Sequence, residues 1–269
     1  MKVVIFCGGL GVRMGEETQR IPKPMIRIGN RPILWHIMRY YADWGHKEFI
    51  LCLGYKGDLI KEYFLTHNEA LTNDFVLEGQ GPQARIELLT QATDDWRITF
   101  VDTGLTPTIG ERLKAIERYI GDDPLFLATY GDGLTDAPLP DVIDTFRYRD
   151  RTALFLSVKP RFNAHLVAAD EDGTVTRVED MAASDVRING GFFVMKREIF
   201  DWIEPGDELV EETFARLIPR GEVLAYRYDG FFGPMDTIKD RQQLEALHES
   251  GKAPWIASVQ NALPTPAAG

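Results

Sequence analysis

The chain has 269 residues, 44% of them hydrophobic, and a formal net charge of -11. That length supplies a sizeable core and suits one α/β domain with appendages. The acidic balance excludes broad contact with nucleic acid or an anionic membrane, yet it leaves room for a local basic pocket that takes a phosphorylated small molecule. The sequence shows neither a signal-peptide pattern nor an apolar run of spanning length, so the expected compartment is the cytoplasm. Cys7 and Cys52 both fall in apolar, strand-like segments and read as two buried thiols, neither a disulfide nor a metal site.

Helix and strand patterns alternate through the first half. "KVVIFC" reads as a buried strand, followed without a spacer by Gly8, Gly9 and Gly11. "RPILWHIMRYYADWG" is an amphipathic helix with Pro32 in its first turn and Gly45 at its end. "EFILCLGY" is a second strand, "KGDLIKEYFLTH" a helix, "RITFVDTG" a third strand, "TIGERLKAIERYIG" a helix and "PLFLATYGDG" a fourth strand. Such alternation predicts a mostly parallel sheet flanked by helices, with the ligand crevice at the carboxyl ends of its strands. The second half adds strands at "TALFLSVK", "NAHLVAADEDGTVTRVED" and "INGGFFVMKREIF", and helices at "ELVEETFARLIPRG" and "TIKDRQQLEALHESG". Residues 1–255 are expected as one domain, with residues 1–150 mainly binding nucleotide, 151–255 mainly binding acceptor, and 256–269 forming a tail.

The glycine loop is weak evidence by itself. It fits neither a dinucleotide fingerprint, since Met14 replaces the third glycine and no acid follows the second strand, nor a P-loop, since no Gly-Lys-Ser/Thr follows. A tight turn would explain Gly8 and Gly9 but not the cations Arg13 and Lys23, the latter fixed between Pro22 and Pro24. Together these features point to phosphate binding. Asp132 stands between glycines after a strand, and Asp236 stands at the edge of a helix, where an N-cap is its plain role. With a phosphate loop, the two aspartates suit Mg2+, which takes one or two carboxylates plus substrate phosphates and water. Arg112 and Lys114 read either as a solvated helix face or as a phosphate clamp, and Asn189 as a turn residue or a hydrogen-bond partner for substrate hydroxyls. The histidines lack ligand spacing, and no Ser/His/Asp or Cys/His set is evident.

"GGLGVRM" followed by "PKPM" resembles the start of the sugar-1-phosphate nucleotidyltransferases. "PILWHIM", "GYKGDLIKEYF", "FVDTG", "GERLK", "TYGDG", "INGGFF", "PMDT" and "GKAPW" resemble the glucose-1-phosphate cytidylyltransferase branch, from Met1 to about Trp255. The resemblance implies a Rossmann-like nucleotidyltransferase fold. It also implies a reaction in which glucose 1-phosphate attacks the α-phosphorus of CTP, giving CDP-glucose and pyrophosphate. Lys23 and Arg13 would then be catalytic, and Gly8, Gly9, Gly11, Arg13, Lys23 and Arg112 would bind nucleotide. Tyr130, Glu179, Asn189 and Gly190 would bind the acceptor, and Asp132 and Asp236 would hold Mg2+. The family commonly assembles, so a homo-oligomer is expected, with Trp96 and Trp202 as candidate interface aromatics.

Departures cluster on the acceptor side. Val12 replaces the loop threonine, Asn163 replaces a glycine, and Glu179-Asp180-Met181 replaces Glu-Lys-Pro, placing an aspartate where the family's lysine faces the sugar phosphate. Nearby Arg161, Arg177 or Arg187 could restore the charge, or an amine-bearing acceptor could use Asp180 as counter-ion. The competing classes are a catalytically silent nucleotide-binding homologue, which the retained Lys23, Asp132 and Asp236 argue against, and a dinucleotide-dependent oxidoreductase, which the missing third glycine and ribose acid argue against.

Overall fold

Alternation within the first strand sets the architecture: Val3, Ile5 and Cys7 enter one hydrophobic core, while Val4 and Phe6 enter another on the opposite face. A strand buried on both faces belongs in the middle of a sheet covered by helices on each side. The computed structural model describes residues 1–9, 11, 14–81, 84–89, 95–160 and 164–256.

The first half contains β1 (Val3–Cys7), α1 (Glu16–Arg20), a 3-10 turn (Lys23–Met25), a ribbon of β2 (Arg27–Ile28) and β3 (Arg31–Pro32), α2 (Ile33–Asp43), β4 (Glu48–Leu53) and α3 (Gly57–Thr66). A hairpin of β5 (Phe75–Glu78) and β6 (Arg85–Leu88) follows, then β7 (Arg97–Asp102), α4 (Ile109–Ala115), α5 (Glu117–Ile120), β8 (Leu125–Tyr130), β9 (Gly133–Thr135) and α6 (Leu139–Arg149). The rest comprises β10 (Ala153–Val158), the hairpin β11 (His165–Ala169) and β12 (Val175–Asp180), β13 (Ile188–Lys196), α7 (Phe214–Leu217), β14 (Val223–Tyr228), β15 (Phe232–Pro234) and α8 (Ile238–Glu249).

The seven-stranded central sheet runs β14-β10-β13-β8-β1-β4-β7. Only β13 is antiparallel to its neighbours; the other pairings are parallel. Helices α2, α6 and α8 cover one face, and α4, α5 and α7 cover the other. This is the mixed α/β architecture expected from the alternating pattern.

Several local expectations shift. Pro32 is the N-cap of α2, not a residue of its first turn. The helix expected over 108–121 divides at Ile116 into α4 and α5. The helix expected over 208–221 begins as a π turn, Leu209–Thr213, which brings Thr213 and Arg216 onto the buried Asp207 carboxylate. Trp96 and Trp202 are partly buried: Trp96 packs on Phe49 and Trp35, and Arg220 lies over Trp202. Strands β2, β3, β5, β6, β9, β14 and β15 have no counterpart in the pattern reading, because all but β14 are short strands on isolated ribbons and β14 alternates only weakly.

The chain leaves β1 toward β4 on one side and returns to β8 on the other, so β1 and β8 flank the switch point of the sheet. The crevice beyond their carboxyl ends is the natural ligand position, and both Gly8–Gly11 and Gly131–Gly133 lie there. Arg112 braces the first of these loops from below. It is only 4% exposed, so it is not part of a solvated helix face. Its guanidinium donates to Thr103 Oγ1 (2.7 Å) and to the carbonyls of Gly104 (2.8 Å), Leu105 (3.2 Å), Leu53 (3.3 Å) and Gly8 (3.4 Å). A β-carbon on Gly8 would collide with that guanidinium. Burial pulls the Arg112 pKa below the ordinary guanidinium range, yet a charged arginine remains the expected form at neutral pH.

Behind the site, His36 is 3% exposed. Its Nε2 lies 2.9 Å from the Ile28 carbonyl, and Trp255 Nε1 donates to its Nδ1 at 3.4 Å, which fixes a neutral ring protonated on Nε2. Burial lowers its pKa to about 4.

Two expectations follow from these buried groups. Arg112→Met leaves five acceptors without their donor and should lower stability by roughly 3 kcal/mol or more in urea unfolding, with Gly8→Ala destabilising in the same direction. For His36 the unfolded chain binds a proton at the ordinary histidine value and the folded chain only near pH 4. Stability is therefore full above about pH 6.5 and declines as the pH falls toward 4, by roughly 3 kcal/mol once both states are protonated. Melting curves across that window should show a shallower decline for His36→Gln than for the unsubstituted protein.

Candidate active site

The crevice at the switch point is a cavity of about 500 Å3. Gly8, Gly9 and Gly11 form one side, Lys23 and Pro24 a second, Asp132 and Asp236 the floor, and Tyr130, Asn189 and Gly190 the end nearest β13. Nine of the candidate catalytic, binding and metal-ligating residues, Gly8, Gly9, Gly11, Lys23, Tyr130, Asp132, Asn189, Gly190 and Asp236, therefore line one cavity. Arg13 lies outside the described residues, as do Val12, Arg161, Asn163 and residues 257–269 of the tail.

The aspartates converge because two very short strands pair: β9 and β15 run antiparallel, with Gly133 opposite Pro234. Asp132 immediately precedes β9, Asp236 closely follows β15, and the Met235 N–H donates to the Asp132 carbonyl at 2.8 Å. The capping role anticipated for Asp236 falls instead to Thr237, whose hydroxyl accepts from the Asp240 N–H while the Asp240 side chain accepts from Thr237. Asp236 thus stands one residue before the N-cap and turns its carboxylate into the cavity.

Lys23 Nζ lies 2.6 Å from Asp132 Oδ2 and 2.7 Å from Asp236 Oδ1, and its side chain is 12% exposed. Burial opposes its charge, but the two carboxylates, Asp132 foremost, outweigh burial and raise its pKa above the ordinary lysine value. The 3-10 turn that carries Lys23 starts at Pro22, in extended conformation, and includes Pro24, so the backbone under the ammonium is stiff. Both carboxylate oxygens reach one cationic centre. That donor set suits a hard divalent cation, which would complete its shell with phosphate oxygens and water. Among the described residues no cluster of three or more His, Cys, Asp or Glu side chains is arranged for metal binding.

Tyr130 packs edge-on against Phe193 at 5.6 Å between ring centres. Gly191, at φ 71°, makes room for its ring: a β-carbon there would strike it. Burial, then the Glu208 and Asp132 carboxylates, push the Tyr130 hydroxyl up to about 12, so it remains a neutral donor. Asn189 does serve the local turn, accepting from the Gly191 N–H at 2.8 Å, while also lining the cavity. Cys7 is buried and its thiol is held well above the ordinary range by burial, so it is no nucleophile.

Three readings from sequence lie apart from the cavity. Arg112 sits beneath the glycine loop with its donors committed to protein acceptors. Glu179 is on β12, ion-paired with Arg177 at 3.3 Å. Arg187 is drawn onto Asp229 and the Ser157 and Tyr228 carbonyls. Residues that sequence reasoning missed include Thr129, Ile109, Phe232 and Pro234. Thr129 and Pro234 belong to the quoted stretches TYGDG and PMDT without having been singled out in them; Thr129 arrives at the end of β8, Phe232 and Pro234 through the β9–β15 pairing, and Ile109 at the start of α4.

The arrangement offers backbone N–H groups and a lysine for an anionic polyphosphate, a pair of carboxylates for a cation, and neutral hydrogen-bonding groups for a second substrate. No described side chain in the cavity is an activated nucleophile, which fits transfer between substrates where one brings the attacking oxygen. Residues 2–227 match the Nucleotidyl transferase family. The chain is 40% identical over 259 residues to a glucose-1-phosphate cytidylyltransferase of Salmonella typhimurium, covering 95% of this chain and 98% of the relative. It is 23% identical over 250 residues to a UTP-glucose-1-phosphate uridylyltransferase of Staphylococcus epidermidis, covering 85% of each. A UDP-glucose pyrophosphorylase solved with UDP-glucose superposes with a TM-score of 0.66 at 13% identity, covering 93% of this chain and 98% of that one. With a family match spanning most of its length and a cavity of the corresponding chemistry, this chain belongs to the nucleotidyl transferase family.

Proposed function

We propose that the protein couples CTP to glucose 1-phosphate, giving CDP-glucose and pyrophosphate. One geometric observation carries the mechanism: Lys23, Asp132 and Asp236, from three distant parts of the chain, meet within 2.7 Å of one nitrogen beside the glycine loop. The choice of cytosine and glucose rests on the 40% identity over nearly the whole chain.

In this reading Gly8, Gly9 and Gly11 present the loop backbone to the nucleotide phosphates, Arg13 is assigned to the same phosphates from its place in the sequence, and the charge of Arg112 lies beneath the loop. Lys23 neutralises the α-phosphate and the approaching acceptor phosphate, whose oxygen attacks phosphorus as pyrophosphate departs. Asp132 and Asp236 would hold Mg2+, whose contribution is to offset charge on the phosphates. Tyr130, Asn189 and Gly190 orient the sugar, and Glu179 would reach it from the β11–β12 hairpin. Enclosure beside β13 lowers the local dielectric, which strengthens the ammonium's hold on developing negative charge.

In this reading Asp132 and Asp236, which now pair with the Lys23 ammonium, would be the ligands of the divalent cation, so Lys23 would have to release them when nucleotide binds. A cation held by this pair would take the place of the ammonium, and Lys23 would then be free to turn toward the phosphates. We also place the enzyme in the cytoplasm, consistent with its two buried free thiols and with the absence, among the described residues, of a helix long and apolar enough to cross a membrane. A homo-oligomer is supported by apolar residues left exposed on the β5–β6 hairpin, Phe75, Val76, Leu77 and Ile86.

Pyrophosphate release with Mg2+, measured across CTP, UTP, GTP, ATP and dTTP with and without glucose 1-phosphate, tests the activity. The expected result is release only with CTP and glucose 1-phosphate together, whereas release with another pair reassigns the substrates. Lys23→Met should lower turnover by roughly 1,000-fold. Without nucleotide it should bind Mn2+ about tenfold more tightly than the unsubstituted protein, because the carboxylates have lost their ammonium; unchanged Mn2+ affinity would refute the exchange.

A further inference from the structure

Among the described residues, only two other than glycine have a positive φ: Lys56 (φ 51°, ψ 37°) and Asp150 (φ 49°, ψ 61°). For Asp150 the reason is local. It is the C-cap of α6, in the left-handed conformation with which helices commonly stop and which aspartate tolerates. Lys56 has no such local reason: it stands at the N-cap of α3 and makes no side-chain cap. A left-handed lysine carries a conformational cost that glycine would not. A residue disfavoured where it stands points to a task for its side chain.

That side chain turns back onto α1. Its Nζ donates to the carbonyls of Gln19 and of Arg20, the latter at 2.8 Å. Helix α1 is five residues long, so its last carbonyls lie beyond its own hydrogen-bond ladder, and a cation is the favourable charge at that end.

The turn that carries Lys56 touches both ends of the phosphate loop. At the front, the Tyr55 N–H donates to the Gly8 carbonyl at 3.5 Å, and a β-carbon on Gly54 would stand 2.8 Å from that oxygen. At the back, the ammonium holds the end of α1. Within α1, Thr18 is 4% exposed, and its hydroxyl donates to the Gly11 carbonyl at 3.0 Å and lies 3.1 Å from that of Gly15. Its methyl packs so close that a β-carbon on Gly11 would meet it at 2.8 Å. Gly11, held at φ 62°, lines the cleft. Contacts therefore run without a gap from Lys56 through α1 and Thr18 to a glycine that faces the substrate. Beyond Arg20 the chain passes only Ile21 and Pro22 before Lys23.

We propose that Lys56 is a positioning residue for nucleotide: its ammonium fixes the end of α1, and with it Thr18 and Gly11, so that the loop is held in its phosphate-binding form before CTP arrives. The tether rests on the contacts above; its consequence for CTP rests on the role given to the glycine loop under the proposed function. A loop ordered in advance loses less freedom when the ligand binds, so the tether acts on affinity.

Lys56→Gly separates the side chain from the turn, since glycine takes the left-handed conformation freely and removes only the tether. Calorimetric titration of CTP with Mg2+ into the full chain, without acceptor and so without turnover, is expected to show roughly tenfold weaker binding for this variant. Lys56→Arg, whose guanidinium also reaches two carbonyls, should bind within about twofold of the unsubstituted protein. The melting temperature of Lys56→Gly should stay within about 3 °C, because relief of the backbone cost offsets the lost hydrogen bonds. Amide exchange between Met14 and Arg20 should quicken roughly tenfold while that of β1 is unchanged. Undiminished CTP binding by Lys56→Gly would overturn the proposal, and so would unchanged exchange in α1. If the unsubstituted protein takes up no CTP while exchange still quickens in Lys56→Gly, the tether stands, its service to CTP is overturned, and the fault lies with the nucleotide reading.

Discussion

The contact on which the rest of the cleft depends is the ammonium of Lys23 between the carboxylates of Asp132 and Asp236. Three segments separated by more than a hundred residues each are held to one point by it. Two carboxylates this close would repel each other if left alone, and one cation between them removes that repulsion. The partial burial of the lysine makes the attraction stronger than at an open surface, and it also makes the charge costly if its partners are lost. The cleft therefore has a built-in requirement that a positive charge occupy this position, whether from lysine or from a divalent ion.

That contact exists only because the backbone brings its members together. The switch point between β1 and β8 places the glycine loop and Asp132 on adjacent strand ends. The β9–β15 pairing then carries Asp236 across from the far end of the chain. Arg112 completes the frame, converting four carbonyls and a hydroxyl at the tops of several strands into one hydrogen-bonded knot beneath the loop. A lysine could not replace it there, because three donors on a point charge cannot reach acceptors spread in this way. Its positive charge lies under the place where the loop would meet phosphates, so a structural brace also contributes to the potential of the cleft.

Among the described residues, the departures from the family pattern, Asp180 and Met181, fall outside this frame. Asp180 ends β12, opposite His165 on a hairpin apart from the central sheet, and Arg177 and Arg187 are each engaged with nearby carboxylates. The cleft floor, by contrast, keeps the lysine, both aspartates and the glycines. The groups that share one charge-balanced point in the cleft are coupled and cannot be changed singly without leaving a partly buried charge unpaired.

The sequence by itself determined the central architecture and the identity of most groups in the cleft. Buried strands such as Val3–Cys7 and Leu125–Tyr130 announce themselves by continuous apolar runs, and Lys23 between prolines, following a glycine loop, stands out because a tight turn alone would not explain it. Those signals are local, carried by period and by neighbours in the chain. Tertiary structure alone decided the rest. The convergence of Asp132 with Asp236 depends on pairing between three-residue strands too short to show a pattern. Arg112 has the sequence of a solvated helix face, and only the position of α4 against the strand ends buries it. Thr237 rather than Asp236 became the helix cap, a choice between adjacent residues that turns on side-chain direction. In each case the deciding interaction joins groups far apart in the chain, so its energy appears only once the strands have set their order and register.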